Sequence, residues 1–167
     1  MKLSEPIRFR EEVFPSDVET VLDLTTSTGY FSKEEIAVAV ELVEERLAKG
    51  LRSGYHFLFA EHGGRVVGYT CFGPIACTVA SYDIYWIAVL EDFRGSGIGK
   101  RLLDRTEGTI EALGGERIYV ETSSRTQYQP TRSFYQRCGY AKEAVLKDFY
   151  APGDDKTVFL RILKPSA

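Results

Sequence analysis

Apolar positions recur along the chain with changing periods, and the changes mark its elements. Ile7 to Phe14 can form a first strand. Pro15-Ser16 then opens a stretch with Val18, Val21, Leu22 and Thr25 on one helical face, and Ser16 with Glu19 has the spacing of a capping box. Gly29 ends it. Ser32 and Glu35 repeat the signature ahead of Ile36, Val40, Val43 and Leu47, until Gly50 closes a second amphipathic helix. Two aromatic and β-branched runs follow, Tyr55 to Glu61 and Arg65 to Phe72, separated by His62-Gly63-Gly64, whose glycines suit a hairpin turn.

Tyr82 to Val89 is a third strand-length run, and Gly95, Gly97 and Gly99 then introduce a helix with Ile98, Leu102, Thr106, Ile110 and Leu113 on one face. Gly114-Gly115 stops it before a short strand, Arg117 to Glu121. Strand, helix and strand together read as a parallel crossover. Past the polar loop Ser123 to Gln129, a short helix beginning near Pro130 carries Phe134-Tyr135 and ends at Gly139. Strands near Tyr140 to Leu146 and Thr157 to Leu163 complete the order. With no repeat or linker, residues 1–167 read as a single domain of α+β class with a mixed, mostly antiparallel sheet and a central β-α-β crossover.

Composition narrows the function. Hydrophobic residues at 44% and charged residues at 27% exclude a disordered chain. Lys and Arg number 21 against 24 Asp and Glu, so no global field favours a nucleic-acid backbone. Cys71, Cys77 and Cys138 lack Cys-x-x-Cys spacing, and His56 and His62 lie far from Cys138, which argues against a zinc site or disulfide framework. No apolar run approaches the roughly 18 residues of a membrane span, and the first residues have no signal-peptide core. A cytoplasmic protein with reduced thiols, no metal, and neither nucleic-acid nor membrane partners is expected.

The local charge is different. From Arg94 to Arg105 four basic residues, Arg94, Lys100, Arg101 and Arg105, face the single acid Asp104, and Arg125, Arg132 and Arg137 make a second basic stretch. Helix N-termini expose unpaired N–H groups, and glycines let a phosphate approach them, so Arg94-Gly95-Ser96-Gly97-Ile98-Gly99-Lys100 is built like an anion cradle. A nucleotide P-loop needs Gly at Arg94 and Ser or Thr at Arg101, and it fails on both. The dinucleotide fingerprint needs Gly at Lys100 and is weak, although Glu121 ends the next strand.

A third pattern fits: Arg or Gln, two residues, Gly, one residue, Gly or Ala, filled by Arg94, Gly97 and Gly99. Asp83-Ile84-Tyr85-Trp86-Ile87-Ala88-Val89 and this loop together resemble the acetyl-CoA motif of the GNAT superfamily of N-acetyltransferases. Downstream, Thr131-Arg132-Ser133-Phe134-Tyr135-Gln136-Arg137-Cys138-Gly139-Tyr140 resembles that superfamily's short helix with its Phe-Tyr-x-x-x-Gly-aromatic ending. The resemblance covers roughly Tyr55 to Leu163 and implies helices on both faces of the sheet.

The resemblance implies that acetyl-CoA, with no metal, binds where two parallel strands splay. Ile87, Ala88 and Val89 would offer backbone groups to the pantetheine, and Arg94, Gly95, Ser96, Gly97, Ile98, Gly99 and Lys100 would cradle the pyrophosphate. Arg132, Phe134 and Arg137 join the cofactor set, as does Ser124, which stands where the superfamily often has Asn. The implied reaction is direct transfer of acetyl to a primary amine through a tetrahedral intermediate. The Val89 amide would serve as oxyanion donor and Tyr135 as general acid toward the thiolate. Asp83 is the leading general base and Glu121 the alternative. The acceptor, a small-molecule amine or a lysine side chain, would meet Tyr30 and Phe31 and be attracted by Asp154 and Asp155, in an expected long loop from Lys147 to Lys156. Superfamily members are often homodimers. Cys138 reads as a small apolar filler, His56 as a satisfied or edge-facing side chain, and Trp86 as core. A non-catalytic module that senses acetyl-CoA or CoA, or an interaction module on the same fold, is the alternative.

Overall fold

The computed structural model describes residues 6–163. Its strands are β1 (Arg8–Arg10), β2 (His56–His62), β3 (Arg65–Pro74), β4 (Ser81–Val89), β5 (Arg117–Ser123), β6 (Ala141–Ala151) and β7 (Asp154–Ile162). Its helices are α1 (Asp17–Ser27), α2 (Lys33–Lys49), α3 (Ile98–Ala112) and α4 (Gln129–Arg137). The strands follow the order β1-β2-β3-β4-β5-β7-β6 in a seven-stranded sheet. β4 and β5 are parallel, joined through α3, while β1–β2, β2–β3, β5–β7 and β6–β7 are antiparallel. This is the mixed α+β sheet with one crossover that the hydrophobic pattern implies.

The chain divides into two compact units, one of Met1–Gly73 with Trp86–Gly108 and one of Pro74–Tyr85 with Thr109–Ala167. In the first, Val21 and Leu24 of α1 and Ala39 and Val43 of α2 pack with Phe57, Phe59, Tyr69, Cys71 and Ala88. Each such large side chain contributes about 1.5–3 kcal/mol by leaving water. Leu22 is 43% exposed, so Leu24 takes the core position expected of it. α2 begins as its sequence implies: the Glu35 N–H donates to Ser32 Oγ (3.1 Å) and the Ser32 N–H to Glu35 Oε2 (2.7 Å).

The capping box expected at Ser16 and Glu19 does not form. Asp17, 1% exposed, accepts the Phe14 N–H at 2.7 Å and two bonds from Arg10 at 2.8 and 3.0 Å. Arg10 also donates to Glu61 (2.8 Å) and lies over the Phe14 and Phe59 rings. Neighbouring Asp17 and Glu61 outweigh the burial of the guanidinium and raise its pKa. This knot draws the chain away from β2 after Arg10, which is why the first strand is three residues long and stops short of Phe14. A buried carboxylate held by a two-pronged Arg outcompetes a surface Ser cap.

At the β2–β3 hairpin Gly63 and Gly64 take φ of 57° and 79°. Further along β3, a Cβ on Gly68 would lie 3.0 Å from the Ala88 carbonyl, so only glycine permits that approach to β4. Thr106 of α3 meets Thr70 of β3 in a buried hydroxyl pair at 2.8 Å. Leu113 lies past the end of α3 and is 49% exposed, so it leaves the face assigned to it.

In the second unit Ile118, Val120, Tyr135, Tyr140 and Phe159 are buried. The loop expected from Lys147 to Lys156 is mostly strand: β6 runs to Ala151, β7 starts at Asp154, and Gly153 turns between them at φ 81°. Asp148 takes φ 51°, its carboxylate accepts the Gly153 N–H (2.7 Å), and Asp155 Oδ1 accepts the Asp148 N–H (2.9 Å). Two Asp side chains thereby stitch an irregular hairpin where composition suggests a loop.

Candidate active site

In the first unit the segment after β4 is a one-turn 3-10 piece, Glu91–Phe93, and then the glycine loop. Gly95 and Gly97 sit at φ 73° and 84°, and a Cβ on either would meet nothing within 4 Å. Positive φ with open space beyond leaves room for a ligand to approach the backbone, and here it falls at the start of a helix. The ladder of α3 opens with the Arg101 N–H donating to the Gly97 carbonyl (3.1 Å). The amides of Ile98 and Gly99 ahead of it belong to the first turn, which a helix leaves without internal acceptors.

The basic side chains around this loop are turned to partners. Arg94 Nε donates to the Val89 carbonyl (3.3 Å), and its guanidinium lies 5.1 Å from the Tyr30 ring centre. Lys100 pairs with Asp104 (2.6 Å), while Arg101 and Arg105 cover the Phe9 ring at 5.1 and 4.3 Å. Ser96 caps back onto the Phe93 carbonyl. Ile87, Ala88 and Val89 end β4, with Ala88 in the core. Tyr30 and Phe31 follow α1, and Phe31 meets Trp86 edge-on at 4.9 Å, which keeps Trp86 against the core. His56 stacks on Phe72 at 5.4 Å, and burial together with the Arg46 charge lowers its pKa.

The second unit holds a cavity of about 340 Å³ lined by Ile75, Thr78, Ser81, Asp83, Tyr119 and Glu121, with Val158 adjoining. Strand register explains the grouping. Asp83 lies opposite Tyr119 in the parallel β4–β5 pair, and Glu121 opposite Val158 in the antiparallel β5–β7 pair. Burial first, and then the Glu121 charge, push Asp83 up to about 6, against a smaller opposing pull from Lys156. Lys156 Nζ is 2.8 Å from Glu121 Oε2. The two carboxylates expected to compete as base thus share one cavity and influence each other.

Tyr135 is buried on α4 among Phe134, Tyr140 and Phe159, with ring centres 5.4, 5.5 and 5.9 Å away. Burial raises its phenol pKa, with the neighbouring Cys138 adding to the effect. Cys138 is the half-exposed residue ending α4.

Several residues expected at the ligands make contacts within the protein. Arg132 donates to the Ser123 (2.6 Å) and Arg125 (3.0 Å) carbonyls and to Gln129 Oε1 (2.8 Å), bracing the loop ahead of α4. Ser124 Oγ accepts the Asp155 N–H at 2.8 Å, which uses part of its hydrogen-bonding capacity. Asp154 is buried, accepts from Ser123 Oγ and pairs with Arg125 at 3.2 Å. With Asp155 bonded to Asp148, the acidic hairpin is an internal fastening and not an open cluster awaiting a cation. Arg137 is exposed in the last turn of α4, where its charge favours the helix C-terminus.

Lys156, Tyr119 and the wall formed by Ile75, Thr78 and Ser81 carry no motif, and sequence reasoning misses them. Alternation along β7 sets Lys156 and Val158 on one face, but only the cross-strand register shows which carboxylate Lys156 meets. Among the described residues no group of three or more His, Cys, Asp or Glu is gathered as for a metal, and no helix is long and apolar enough to cross a membrane.

Residues 53–142 match the family model of the acetyltransferase (GNAT) domain. A crystal structure of a GNAT-family protein from Desulfovibrio desulfuricans superposes with a TM-score of 0.92 at 43% identity, covering 94% of this chain and 99% of that one. An aminoglycoside 6'-N-acetyltransferase in complex with coenzyme A shares the fold, with a TM-score of 0.76, 18% identity, and coverage of 98% of this chain and 99% of that one. An N-alpha-acetyltransferase of Sulfurisphaera tokodaii is 31% identical over 109 residues, 59% of this chain. The chain spans less than two thirds of the curated relatives it matches first, 64% of that protein and 66% of its counterpart from Sulfolobus acidocaldarius. The GNAT family model covers more than half of the sequence, and the Desulfovibrio protein matches it nearly end to end: the chain belongs to the GNAT acetyltransferase family.

Proposed function

We propose that residues 1–167 act as one acetyl-CoA-dependent N-acetyltransferase domain, transferring acetyl directly to a primary amine. The observation that carries this reading is the glycine loop: positive φ at Gly95 and Gly97, with open space where their side chains would stand, at the start of α3. That arrangement suits a pyrophosphate, which needs close backbone approach to helix amides. Gly97, Ile98 and Gly99 would supply the amides, and the end of β4 at Ile87, Ala88 and Val89 the pairing for an extended pantetheine.

Acetyl-CoA supplies an acyl group already activated as a thioester. Asp83 takes the proton that the acceptor ammonium must lose, directly or through one water, so that the nitrogen lone pair forms the new C–N bond. Its raised pKa near 6 brings it closer to working pH than an ordinary carboxylate. The Val89 N–H is assigned to the carbonyl oxygen as charge gathers there. As the C–S bond breaks, Tyr135 gives a proton to the sulfur. Its buried phenol, held protonated at neutral pH, suits an acid and not a base. Asp154 is engaged by Ser123 and Arg125 and Asp155 by the Asp148 N–H, so attraction of the acceptor is assigned to the cavity that Asp83 and Glu121 line.

Calorimetric titration with acetyl-CoA, NAD and ATP, followed by an assay of free CoA thiol released in the presence of primary amines, tests this. Selective binding of acetyl-CoA and amine-dependent thiol release are expected. Binding without release for any amine favours the sensing module, and preference for NAD overturns the reading of the loop.

A further inference from the structure

Lys156 is the charged side chain beside the carboxylate cavity that the proposed chemistry leaves without a role. It projects from β7 opposite Ser123, and its side chain is only 12% exposed. Its ammonium is 2.8 Å from Glu121 Oε2, 3.8 Å from the Phe149 ring centre and 6.0 Å from that of Tyr150. A carboxylate and aromatic faces are the means by which proteins recognise an alkylammonium ion. Here the ammonium is the chain's own.

The charge count follows. Asp83 and Glu121 both line the cavity of about 340 Å³, and Lys156 answers one of them. One negative charge remains to be matched. A single acceptor ammonium balances it, whereas a second cationic group would add charge beside Lys156. The rest of the lining is uncharged: Ile75, Val158 and the ring of Tyr119 offer apolar surface to the body of the acceptor, and Thr78 and Ser81 add hydroxyls. A carboxylate on the acceptor, as in a free amino acid, would face Asp83 and Glu121.

We infer that Lys156 is a specificity-determining residue of the acceptor site: as a resident ammonium at Glu121, it restricts the cavity to small primary monoamines with uncharged tails and disfavours diamines. The contact that gives Lys156 this role is its ion pair with Glu121, so it acts through Glu121 as a positioning residue. The inference rests on the amine-acceptor reading above, and the experiment separates the two.

Propylamine and 1,3-diaminopropane serve as probes, each measured for calorimetric binding and for kcat/KM at saturating acetyl-CoA, with the chain of residues 1–167. The wild type is expected to favour propylamine by about tenfold or more. Lys156→Met vacates the second anionic position, and the preference is expected to shift about tenfold toward the diamine, through KM with little change in kcat. Lys156→Arg keeps the charge and is expected to retain the monoamine preference. A merely structural lysine would leave the monoamine-to-diamine ratio unchanged in a folded Lys156→Met, so the shift in that variant together with the retained preference in Lys156→Arg marks the charge as the determinant. Should Lys156→Met not fold, Glu121→Gln gives a second route, since it leaves Lys156 matching Asp83 and is expected to raise the propylamine KM about tenfold. An unchanged monoamine-to-diamine ratio in Lys156→Met that melts like the wild type overturns the inference, and so does a wild type that binds neither amine. Amine binding without acetyl transfer overturns the proposed function alone, and the binding ratio then decides the inference.

Discussion

The glycine loop and the carboxylate cavity offer two opposite ways to recognise a charged ligand. At the loop the side chains are already engaged: Arg94 over Tyr30, Arg101 and Arg105 over Phe9, Lys100 with Asp104. What it presents is backbone, at Gly95 and Gly97, with nothing within 4 Å of a would-be Cβ. At the cavity the reverse holds. β4, β5 and β7 are regular strands there, and the recognition proposed for the cavity rests on Asp83, Glu121 and Lys156, whose charges bear on one another. A backbone site is fixed once its helix is docked, and its donors do not titrate. A side-chain site is tuned by its neighbours and responds to pH. The two regions should therefore fail differently under mutation.

The largest difference is expected from Asp83→Asn, which removes the proposed base and should lower kcat about a hundredfold, the low end of what a positioned acid–base group contributes. The wild type should gain activity as pH rises through about 6, where Asp83 becomes the carboxylate, and the variant should lack that limb. Stability should move the other way. A carboxyl whose pKa is higher folded than unfolded binds its proton more tightly in the native state, so stability falls as pH rises from about 3.8 to about 6 and stays lower above. Asp83→Asn has no charge to bury and should unfold at equal or higher urea than the wild type at pH 8. A pH-rate profile and urea melts at two pH values check both halves.

The backbone site should respond next, and without pH dependence. Gly97→Asp puts a side chain on a residue at φ 84°, a conformation costing an L-residue about 1–2 kcal/mol, and adds a negative charge where phosphate is proposed to lie. A rise of more than tenfold in the acetyl-CoA dissociation constant is expected by calorimetry, with kcat at saturation little changed. Gly97→Ala, which carries the strain without the charge, should fall between. Tyr135→Phe should do the converse, with a lower kcat and cofactor affinity nearly unchanged. Unchanged kcat would remove its role as acid.

What made one site easy to read and the other hard is the distance over which each is encoded. Arg94, Gly97 and Gly99 lie within a single turn of chain, and a positive φ is a local demand that only glycine meets cheaply. The order of strands and helices is legible for the same reason, because period and turn residues are local. Asp83 entered through the resemblance of its strand to the superfamily motif, but its partnership with Glu121 depends on the β4–β5 register, and the Lys156 contact on β5–β7. The misreadings have the same cause. Ser16 looked like a cap because Arg10 and Glu61, which favour Asp17, are distant in sequence from one another. The segment at 147–156 looked like a loop because the bonds of Asp148 and Asp155 that hold it as a hairpin are invisible until the strands pair. The partners of Asp154 and Asp155, namely Arg125, Ser123 and the hairpin backbone, are likewise invisible before the strands pair.

The smallest expected effect concerns what holds the backbone site in place. Thr70 and Thr106 share one buried hydrogen bond of 2.8 Å, a polar contact between β3 and the helix that the glycine loop opens. Thr70→Val leaves the Thr106 hydroxyl buried, with the partner it has here removed, and should cost about 1–3 kcal/mol by urea unfolding. Thr106→Val should cost about the same. The double variant replaces both hydroxyls by methyl groups of similar shape and should recover much of the loss, because the penalty lies in the orphaned group more than in the missing bond. Acetyl-CoA affinity should follow stability only weakly, since Ile98, Leu102 and Leu103 still bury α3. If the double variant instead lost affinity as severely as Gly97→Asp, the placement of the loop would depend on this one polar contact, and the contrast between a fixed backbone site and a tunable side-chain site would have to be redrawn.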